Sequence, residues 1–470
     1  MRTLDHLVAR RITRRDAVRL IGAAPVLAHG ALAASPTALH TQQPPRAAVT
    51  TGTASADRLF QAGHFAEADA AYRQILAHDP HNVHARTQRG YIALLSNRLA
   101  QAQALLTKSL TLAPSNRQAR GLLALTLYRA DAFAQLAALY RKLGSQAQLP
   151  LPAQLLESFQ GRTPYDIQGP ATSRIPFLQT DPLLLIDVSV NGLEPVPFVV
   201  DTGAATIGLV PELAQRAGVR LVGTIRAMGV GGKPITVHSA RVDRVRLGDV
   251  EIRNVPGGTG GNIATGVRAP DGRPVQGNIG TIVLSHFLST LDYVGAALIL
   301  RRKTAALLRQ FEAEARAAAA AAMPFWIYTD HLIEAMGTVN GHGPMLFTVD
   351  TGSNADFGSK GFFPSWATVK EAGIHVDKSK AYQFHGSGGT FTAYPIQLKE
   401  VTLGSVVRRN LPGAANVIQG PVVQRPRPGS SAAIEPRIGG AVSGAFFRPF
   451  SLTIDTVGMR LFVARGRTAS

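Results

Sequence analysis

Apolar residues recur along this chain with two different spacings. Between residues 49 and 146 they repeat at intervals of 34 positions, as at Phe65, Leu99 and Phe133, and this spacing predicts pairs of packed helices. From Ile175 onward, short apolar runs separated by turn residues predict strands. The chain therefore divides into a helical first part and a β-rich second part.

The β-rich part contains one pattern twice. Residues 199–203 read Val-Val-Asp-Thr-Gly, and residues 348–352, which lie 149 positions later, read Thr-Val-Asp-Thr-Gly. An Asn-Gly pair, typical of a hairpin turn, precedes each motif, at residues 191–192 and 340–341. A duplicated fold of this kind would bring the two motif carboxylates face to face.

Further parts of the pattern return in the same order. A Gly-rich loop follows each motif, at residues 228–232 and 385–389. Each copy ends in a strand-like segment that closes on an aspartate, Asp292 or Asp455, and we expect both of these aspartates to be structural. The spacing between the copies grows to 163 at these last segments, so the second copy should contain insertions, chiefly around residues 418–436.

The composition limits the chemistry without identifying it. The 470 residues suffice for roughly two to four domains with cores of their own. Cysteine is absent, which excludes disulfides, thiolate metal sites and a cysteine nucleophile. The net charge of +19 is scattered, largely as Arg, and aromatic residues are not interleaved with it, so a solvated basic surface is favoured and no nucleic acid is expected as a partner.

The first residues predict export. A basic start containing Arg14 and Arg15 precedes a short apolar stretch that ends in small residues near Ala33, which is the arrangement of a secretory signal. The paired arginines resemble a twin-arginine signal. We therefore expect an export signal at 1–33, a linker at 34–52, and a mature periplasmic protein without a stable membrane anchor. An uncleaved amphipathic N-terminal helix is the alternative.

Residues 53–146 resemble tetratricopeptide repeats. The resemblance rests on the 34-residue period and on repeated positions such as Ala68, Tyr72 and Pro80. It implies a concave helical surface that binds a peptide or a protein partner. A packing module that only supports the following domain is an equally good interpretation. Residues 147–174, with Pro, Gly and Ser, predict a second linker.

Residues 175–465 resemble two tandem retropepsin-like aspartic proteases. The resemblance rests on the two Asp-Thr-Gly motifs and on the closing segments that end in Leu-Asp and Ile-Asp. It implies a multidomain α + β chain in which the helical repeat module precedes two all-β barrel lobes, lobe 1 (175–303) and lobe 2 (323–470), which form a pseudo-dimer. A helix at 304–322, predicted by its Ala, Glu, Arg and Leu content, connects the lobes. The site residues expected on this basis are the catalytic pair Asp201 and Asp350, the supporting residues Thr202, Gly203, Thr351, Gly352 and Ser353, and the flap glycines Gly229, Gly231, Gly232, Gly386, Gly388 and Gly389.

The chemistry of two adjacent carboxyl groups supports this assignment. Peptide hydrolysis needs a base to activate water and an acid to protonate the amide. Two carboxylates in a shielded cleft do not both ionise, so the pair holds one proton and supplies both functions. We therefore expect an aspartic endopeptidase that needs no metal or cofactor and acts on peptide or protein substrates. A catalytically silent scaffold that binds peptides or proteins is the alternative.

The two copies differ directly after the motif. Ala204 follows the first glycine, whereas Ser353 follows the second. A Ser353 hydroxyl that donates to the Asp350 carboxylate would favour its ionised form. On this reasoning we expect Asp201 to carry the shared proton more often.

Overall fold

The computed structural model describes residues 47–143, 151–228, 233–261, 266–353, 360–386, 389–416 and 434–466. The predicted export signal and the predicted linker up to residue 46 lie outside these residues. In the part of the chain that the structure describes, no helix combines the length and the apolar character needed to cross a membrane.

The repeat module is helical, and its helices follow the predicted period. The second helix of each unit begins at Phe65, Leu99 and Phe133. The first helix already begins at Ala47, inside the segment predicted as a linker. Over the described residues the helices are α1 (Ala47–Gln61), α2 (Phe65–His78), α3 (Val83–Leu95), α4 (Leu99–Leu112), α5 (Arg117–Arg129) and α6 (Phe133–Leu143).

Asparagine caps explain where the units start. The side-chain oxygen of Asn82 accepts a hydrogen bond from Ala85 N at 2.9 Å, and that of Asn116 accepts one from Ala119 N at 3.0 Å. Such a cap satisfies a backbone N–H that has no partner within the helix. The repeated asparagine therefore fixes the start of α3 and of α5.

The two kinds of helix in the repeat module are buried differently. α2 buries Phe65, Ala68 and Tyr72, a spacing that leaves one side of the helix open to solvent. In α3 and α5, by contrast, residues 90–95 and 122–128 are buried without interruption. A buried run longer than one helical turn includes every side of the helix, so α3 and α5 are covered on a second face.

The cover on α3 and α5 comes from the β-rich part of the same compact unit, Ala47–Ser470. The Tyr91 hydroxyl donates to Glu435 Oε2 at 2.6 Å, and Arg129 Nη1 donates to the Ile327 carbonyl at 3.1 Å. Of the two interpretations of the repeats, the packing module is the one that these contacts favour. A separate protein partner would have to use other faces, such as the open sides of α2 and α4.

The segment predicted as the second linker contains regular structure. It holds the short helix α7 (Ala153–Glu157) and the strands β1 (Asp166–Gln168) and β2 (Thr172–Pro176). β1 pairs with residues 251–253, and β2 pairs with residues 297–301. The partners are distant in the sequence, and local composition does not reveal such pairing, so this segment is not a plain linker.

Lobe 1 places its first motif at the end of a central strand. Its elements are β3 (Leu185–Val190), β4 (Val196–Asp201), β5 (Ile207–Leu209), α8 (Pro211–Arg216), β6 (Leu221–Met228), β7 (Pro234–Leu247), β8 (Val250–Thr259), β9 (Gly277–Gly280), α9 (Thr281–Ser285), β10 (Phe287–Asp292) and β11 (Ala297–Arg302). Its main sheet has the order β1-β8-β5-β9-β4-β3-β7-β6, in which β4 runs parallel to β9 and antiparallel to β3.

The predicted connecting helix is present, and lobe 2 repeats the order of elements found in lobe 1. Thr304 Oγ1 accepts a hydrogen bond from Leu307 N and so caps the helix. The elements are α10 (Ala305–Ala317), β12 (Ala321–Tyr328), β13 (Leu332–Val339), β14 (His342–Asp350), β15 (Phe362–Pro364), α11 (Trp366–Glu371), a 3₁₀ turn (Lys378–Lys380), β16 (Tyr382–Gly386), β17 (Gly389–Leu403), β18 (Val406–Asn416), β19 (Ile438–Ser443), α12 (Gly444–Phe447), β20 (Phe450–Asp455) and β21 (Arg460–Arg465).

The two lobes share a sheet that has pseudo-twofold symmetry. This sheet has the order β16-β17-β18-β15-β19-β14-β13-β12-β21-β20-β10-β11-β2, so β20 of lobe 2 joins β10 of lobe 1. In that pair Thr290 lies opposite Thr453, with their hydroxyl oxygens 2.7 Å apart. The two threonines are 163 residues apart, which is the spacing of the closing segments, so each faces its own counterpart. The predicted fold class and pseudo-dimer are confirmed.

Candidate active site

Both motif aspartates stand at the end of a strand whose preceding residues are buried. β4 ends at Asp201, and β14 ends at Asp350. In parallel register, Asp201 pairs with Gly280 of β9 and Asp350 pairs with Ser443 of β19. Each aspartate therefore leaves the sheet from an equivalent place in its lobe.

The two threonines of the motifs hold the loops together. Thr202 N donates to Thr351 Oγ1 at 3.0 Å, and Thr351 N donates to Thr202 Oγ1 at 3.0 Å. The same hydroxyls donate across the lobes, from Thr202 to the Val349 carbonyl at 2.7 Å and from Thr351 to the Val200 carbonyl at 2.8 Å. Both threonines are fully buried. These reciprocal bonds fix the separation of the two loops.

The motif glycines allow each loop to approach the opposite carboxyl group. Gly203 N donates to Asp201 Oδ1 at 2.8 Å, and Gly352 N donates to Asp350 Oδ1 at 3.0 Å. A Cβ atom at Gly352 would lie 2.2 Å from Asp201 Cγ, and one at Gly203 would lie 2.5 Å from Asp350 Oδ1. Any side chain at either position would displace a carboxyl group.

The carboxyl groups of Asp201 and Asp350, called here the carboxyl pair, hydrogen-bond to one another. Burial raises the pKa of Asp350 to about 7, and the neighbouring charge of Asp201 acts in the same direction. Burial also raises the pKa of Asp201, but the N–H groups of Gly203 and Ala204 and the charge of His331 oppose the increase. Both pKa values are therefore raised, and the surroundings of Asp201 favour the ionised form more than those of Asp350 do.

Ser353 does not act on the Asp350 carboxyl group as expected. Its hydroxyl donates to the backbone carbonyl of Asp350 at 2.9 Å and so supports the loop. The predicted hydrogen bond from Ser353 to the Asp350 carboxylate is therefore wrong, and the expectation that Asp201 carries the shared proton loses its basis.

A histidine that sequence reasoning missed lies beside the carboxyl pair. His331, in the turn between β12 and β13, places Nε2 3.0 Å from the Gly203 carbonyl oxygen and Nδ1 2.8 Å from Asp330 Oδ1. Its charge lowers the pKa of both members of the carboxyl pair. The available sequence signal was an Asp-His step at the start of the second copy, where the first copy has Asp181-Pro182.

The Gly-rich loops lie at the ends of two long hairpins, β6–β7 in lobe 1 and β16–β17 in lobe 2. At the second tip Gly386 pairs with Gly389. A Cβ atom at Gly389 would lie 3.2 Å from Cδ of Lys233, which directly precedes β7, so the two hairpin ends meet. The flap role of these glycines stays a prediction, and four of them lie outside the described residues: Gly229, Gly231, Gly232 and Gly388.

The aspartates of the closing segments stabilise turns. Asp292 Oδ1 accepts a hydrogen bond from Gly295 N at 2.9 Å, and Asp455 Oδ1 accepts one from Val457 N at 3.0 Å. Both are structural, as expected. Among the residues that the structure describes, no group of three or more histidine and carboxylate side chains is arranged to hold a metal ion.

Comparison with known proteins agrees with this geometry. Residues 186–281 and 335–426 match the family model of an aspartyl protease, and each match contains one motif. The two segments that match the aspartyl protease model stand in tandem in this chain. Residues 59–126, which precede both of these segments, match a tetratricopeptide repeat model.

Among solved structures, a retropepsin-like aspartic protease from Rickettsia conorii is similar to part of the chain. The two are 23% identical, the match covers 29% of this chain and 95% of that chain, and the TM-score is 0.21. No curated protein matches.

Proposed function

We propose that this protein is an aspartic endopeptidase that hydrolyses peptide bonds with a water activated between Asp201 and Asp350. One observation carries the proposal: two carboxyl groups, one from each aspartyl protease lobe, share a hydrogen bond at a junction held by reciprocal threonine contacts. The match of both lobes to an aspartyl protease family supports the same reaction class.

The unequal pKa values of the two aspartates suggest a division of roles. Ionised Asp201 accepts a proton from the attacking water, whose oxygen forms a bond to the peptide carbonyl carbon. Asp350 gives its proton to the carbonyl oxygen and so neutralises the charge that develops there. Asp201 then gives its proton to the amide nitrogen, and a hydroxyl group of the tetrahedral intermediate returns a proton to Asp350 as its C–O bond becomes a carbonyl. The carbon–nitrogen bond breaks, and the pair again holds one proton.

The substrate class follows from the surrounding strands. The hairpins β6–β7 and β16–β17 meet at their ends, where Lys233 contacts Gly389. We propose that an extended peptide lies between these hairpins and the carboxyl pair, with main-chain hydrogen bonds to the strand edges. We also propose that the protein acts after export, because the N-terminal sequence resembles a twin-arginine signal.

The proposal predicts that either aspartate is indispensable. Asp201→Asn and Asp350→Asn should each reduce cleavage of a peptide library by about a thousandfold or more, because each variant removes the base or the acid. Mass spectrometry of the cleaved peptides provides the measurement.

Asp243→Asn is the control, because this aspartate is 65% exposed and forms an ion pair with Arg241, outside both motif loops. It should cleave as the wild type does. A wild type that binds peptides without cleaving them at any pH would instead support the silent scaffold.

A further inference from the structure

We infer that His331 is a positioning residue of the reaction: an imidazolium, held by Asp330 and supported by helix α5 of the repeat module, that keeps Asp201 ionised and leaves the shared proton on Asp350. The inference extends the proposed function, because the proton distribution matters for catalysis only if the carboxyl pair is a catalyst. The effect of the His331 charge on the pKa values of the carboxyl pair can be measured whether or not the protein cleaves peptides.

The hydrogen-bond partners of His331 define its charge. Nδ1 lies 2.8 Å from Asp330 Oδ1, and Nε2 lies 3.0 Å from the Gly203 carbonyl oxygen. A carboxylate and a carbonyl accept hydrogen bonds but do not donate them, so both contacts require a proton on the ring nitrogen. Only the imidazolium has both protons. Burial alone would lower the pKa of His331, but Asp330 and the Gly203 carbonyl outweigh it and raise that pKa.

The position of His331 makes the carboxyl pair asymmetric. Gly203 belongs to the Asp201 motif, so the charge lies beside the loop of one aspartate. At the corresponding position lobe 1 has Pro182, which has neither a charge nor a proton on nitrogen to donate. The duplicated fold would otherwise offer the two aspartates equivalent surroundings, and His331 removes that equivalence.

The turn that carries His331 contains Thr329 in a backbone conformation that threonine does not favour. Thr329 has φ of 55°, a left-handed conformation that a β-branched side chain rarely adopts. Such conformations persist where the surrounding structure enforces them, and they concentrate at functional sites. The strained turn carries Asp330 and His331 directly towards Gly203.

Helix α5 supplies contacts that hold this turn in its left-handed conformation. Arg129 donates to the Ile327 carbonyl at 3.1 Å, two residues before the strained turn, and its charge attracts Asp330. The titratable side chains of Tyr128 and Tyr165 also interact with Asp330. On its other side the His331 ring interacts with Asp201 and Asp350. The repeat module therefore contributes to the setting of the carboxyl pair.

A second histidine at the same end of α5 offers a matched control. His286 places Nε2 2.8 Å from Asp131 Oδ2 and Nδ1 2.7 Å from the Ile282 carbonyl oxygen. Like His331, it bridges an aspartate and a backbone carbonyl next to the repeat module. Its carbonyl partner lies in α9, however, and not in a motif loop.

The test compares His331→Gln with His286→Gln in the full chain. Glutamine retains an N–H that can donate to the carbonyl but removes the charge. The apparent pKa values of the carboxyl pair are followed by ¹³C NMR of labelled aspartate, with Asp201→Asn and Asp350→Asn providing the assignments. We expect His331→Gln to raise the lower apparent pKa of the pair by about one unit, because an opposite charge nearby favours ionisation, and His286→Gln to leave it unchanged. Coincident titrations for the wild type and His331→Gln would overturn the inference.

Further measurements distinguish the role of His331 from a failure of the proposed function and from misfolding of the variant. Both limbs of the pH profile for kcat/KM should move to higher pH in His331→Gln, together with the titration. If the wild type cleaves nothing, the proposed function fails, and the NMR titration still decides the role of His331. If His331→Gln does not fold, the ring of His331 is titrated in the wild type. A ring that remains doubly protonated above pH 7 supports the inference, and one that is neutral at pH 6 overturns it.

Discussion

Two identical Asp-Thr-Gly motifs acquire different protonation states in this protein. The carboxyl group of Asp201 accepts a hydrogen bond from Gly203 N and lies near the charge of His331. Asp350 lies next to the charge of Asp201 and has a pKa raised to about 7. The difference arises from surrounding atoms and not from the motifs, which explains why reasoning from Ser353 alone gave the opposite assignment.

At the scale of single residues, Gly352→Ala should abolish activity. The new Cβ atom would lie 2.2 Å from Asp201 Cγ, a distance that forces the carboxyl group to move and breaks the carboxyl pair. A displacement of about 1 Å can cost about a hundredfold in rate, so kcat/KM should fall at least that far. In Gly121→Ala, where a Cβ atom meets nothing within 4 Å, activity should persist, and stability should rise by up to about 1 kcal/mol. Near-normal cleavage by Gly352→Ala would contradict the close approach of the loops.

The sequence predicted that the motif residues meet but not which neighbours surround them. Asp201, Asp350 and the two motif glycines could be predicted because a repeated motif in a duplicated fold defines its own geometry. His331 could not, because its importance depends on a turn of lobe 2 that passes the Gly203 carbonyl. A contact between residues 128 positions apart leaves no local pattern.

At the scale of secondary-structure elements, the motif loops that follow β4 and β14 are held together by the hydroxyl groups of two threonines. Thr202→Val removes one of these hydroxyl groups. The Thr351 N–H would lose its acceptor and the Val349 carbonyl its donor, both in a buried environment. Each of the two unpaired groups costs about 1–3 kcal/mol, so the free energy of unfolding should fall by about 2–6 kcal/mol. Urea denaturation measures the change.

Thr202→Ser is the matched control for these hydrogen bonds between the two motif loops. Serine retains the hydroxyl and both hydrogen bonds and loses one methyl group, which costs about 1 kcal/mol. If valine and serine were equally destabilising, the hydrogen bonds would not be the source of the stability.

Regular elements could be predicted from the sequence where their signals are local. The helices that begin at Phe65, Leu99 and Phe133 follow a period of 34 residues that is visible in the sequence. β1 and β2 could not be predicted in the same way, because three and five residues carry little pattern and their pairing partners lie far along the chain. Whether such short strands form depends on pairing with residues that are distant in the sequence.

At the scale of the whole molecule, the repeat module and lobe 2 meet over a buried carboxyl group. Phe65 packs edge-on against Trp326 with ring centroids 5.1 Å apart, and Trp326 lies opposite Glu334 in the sheet. Glu334 Oε1 accepts a hydrogen bond from Thr348 at 2.8 Å, and Oε2 has no partner among the described groups. In lobe 1 the corresponding residue is the apolar Leu185.

This buried carboxyl group makes stability depend on pH. Burial raises the pKa of Glu334 from 4.5 to about 8, so the folded state holds a proton that the unfolded state releases across that range. Stability should therefore fall as pH rises from about 4.5 to about 8 and then level off. The raised pKa values of Asp201, Asp350 and His331 act in the same direction.

Glu334→Gln isolates the contribution of this one group. The free energy of unfolding, measured by urea denaturation at pH 5, 6, 7 and 8, should fall less steeply in the variant than in the wild type. The difference between the two curves should reach a few kcal/mol at pH 8, because each unit of pKa shift corresponds to about 1.4 kcal/mol. Glu194→Gln, at an exposed position, should reproduce the wild-type curve. Parallel curves for Glu334→Gln and the wild type would mean that Glu334 is ionised in the folded protein, and that the face between the repeat module and lobe 2 admits water.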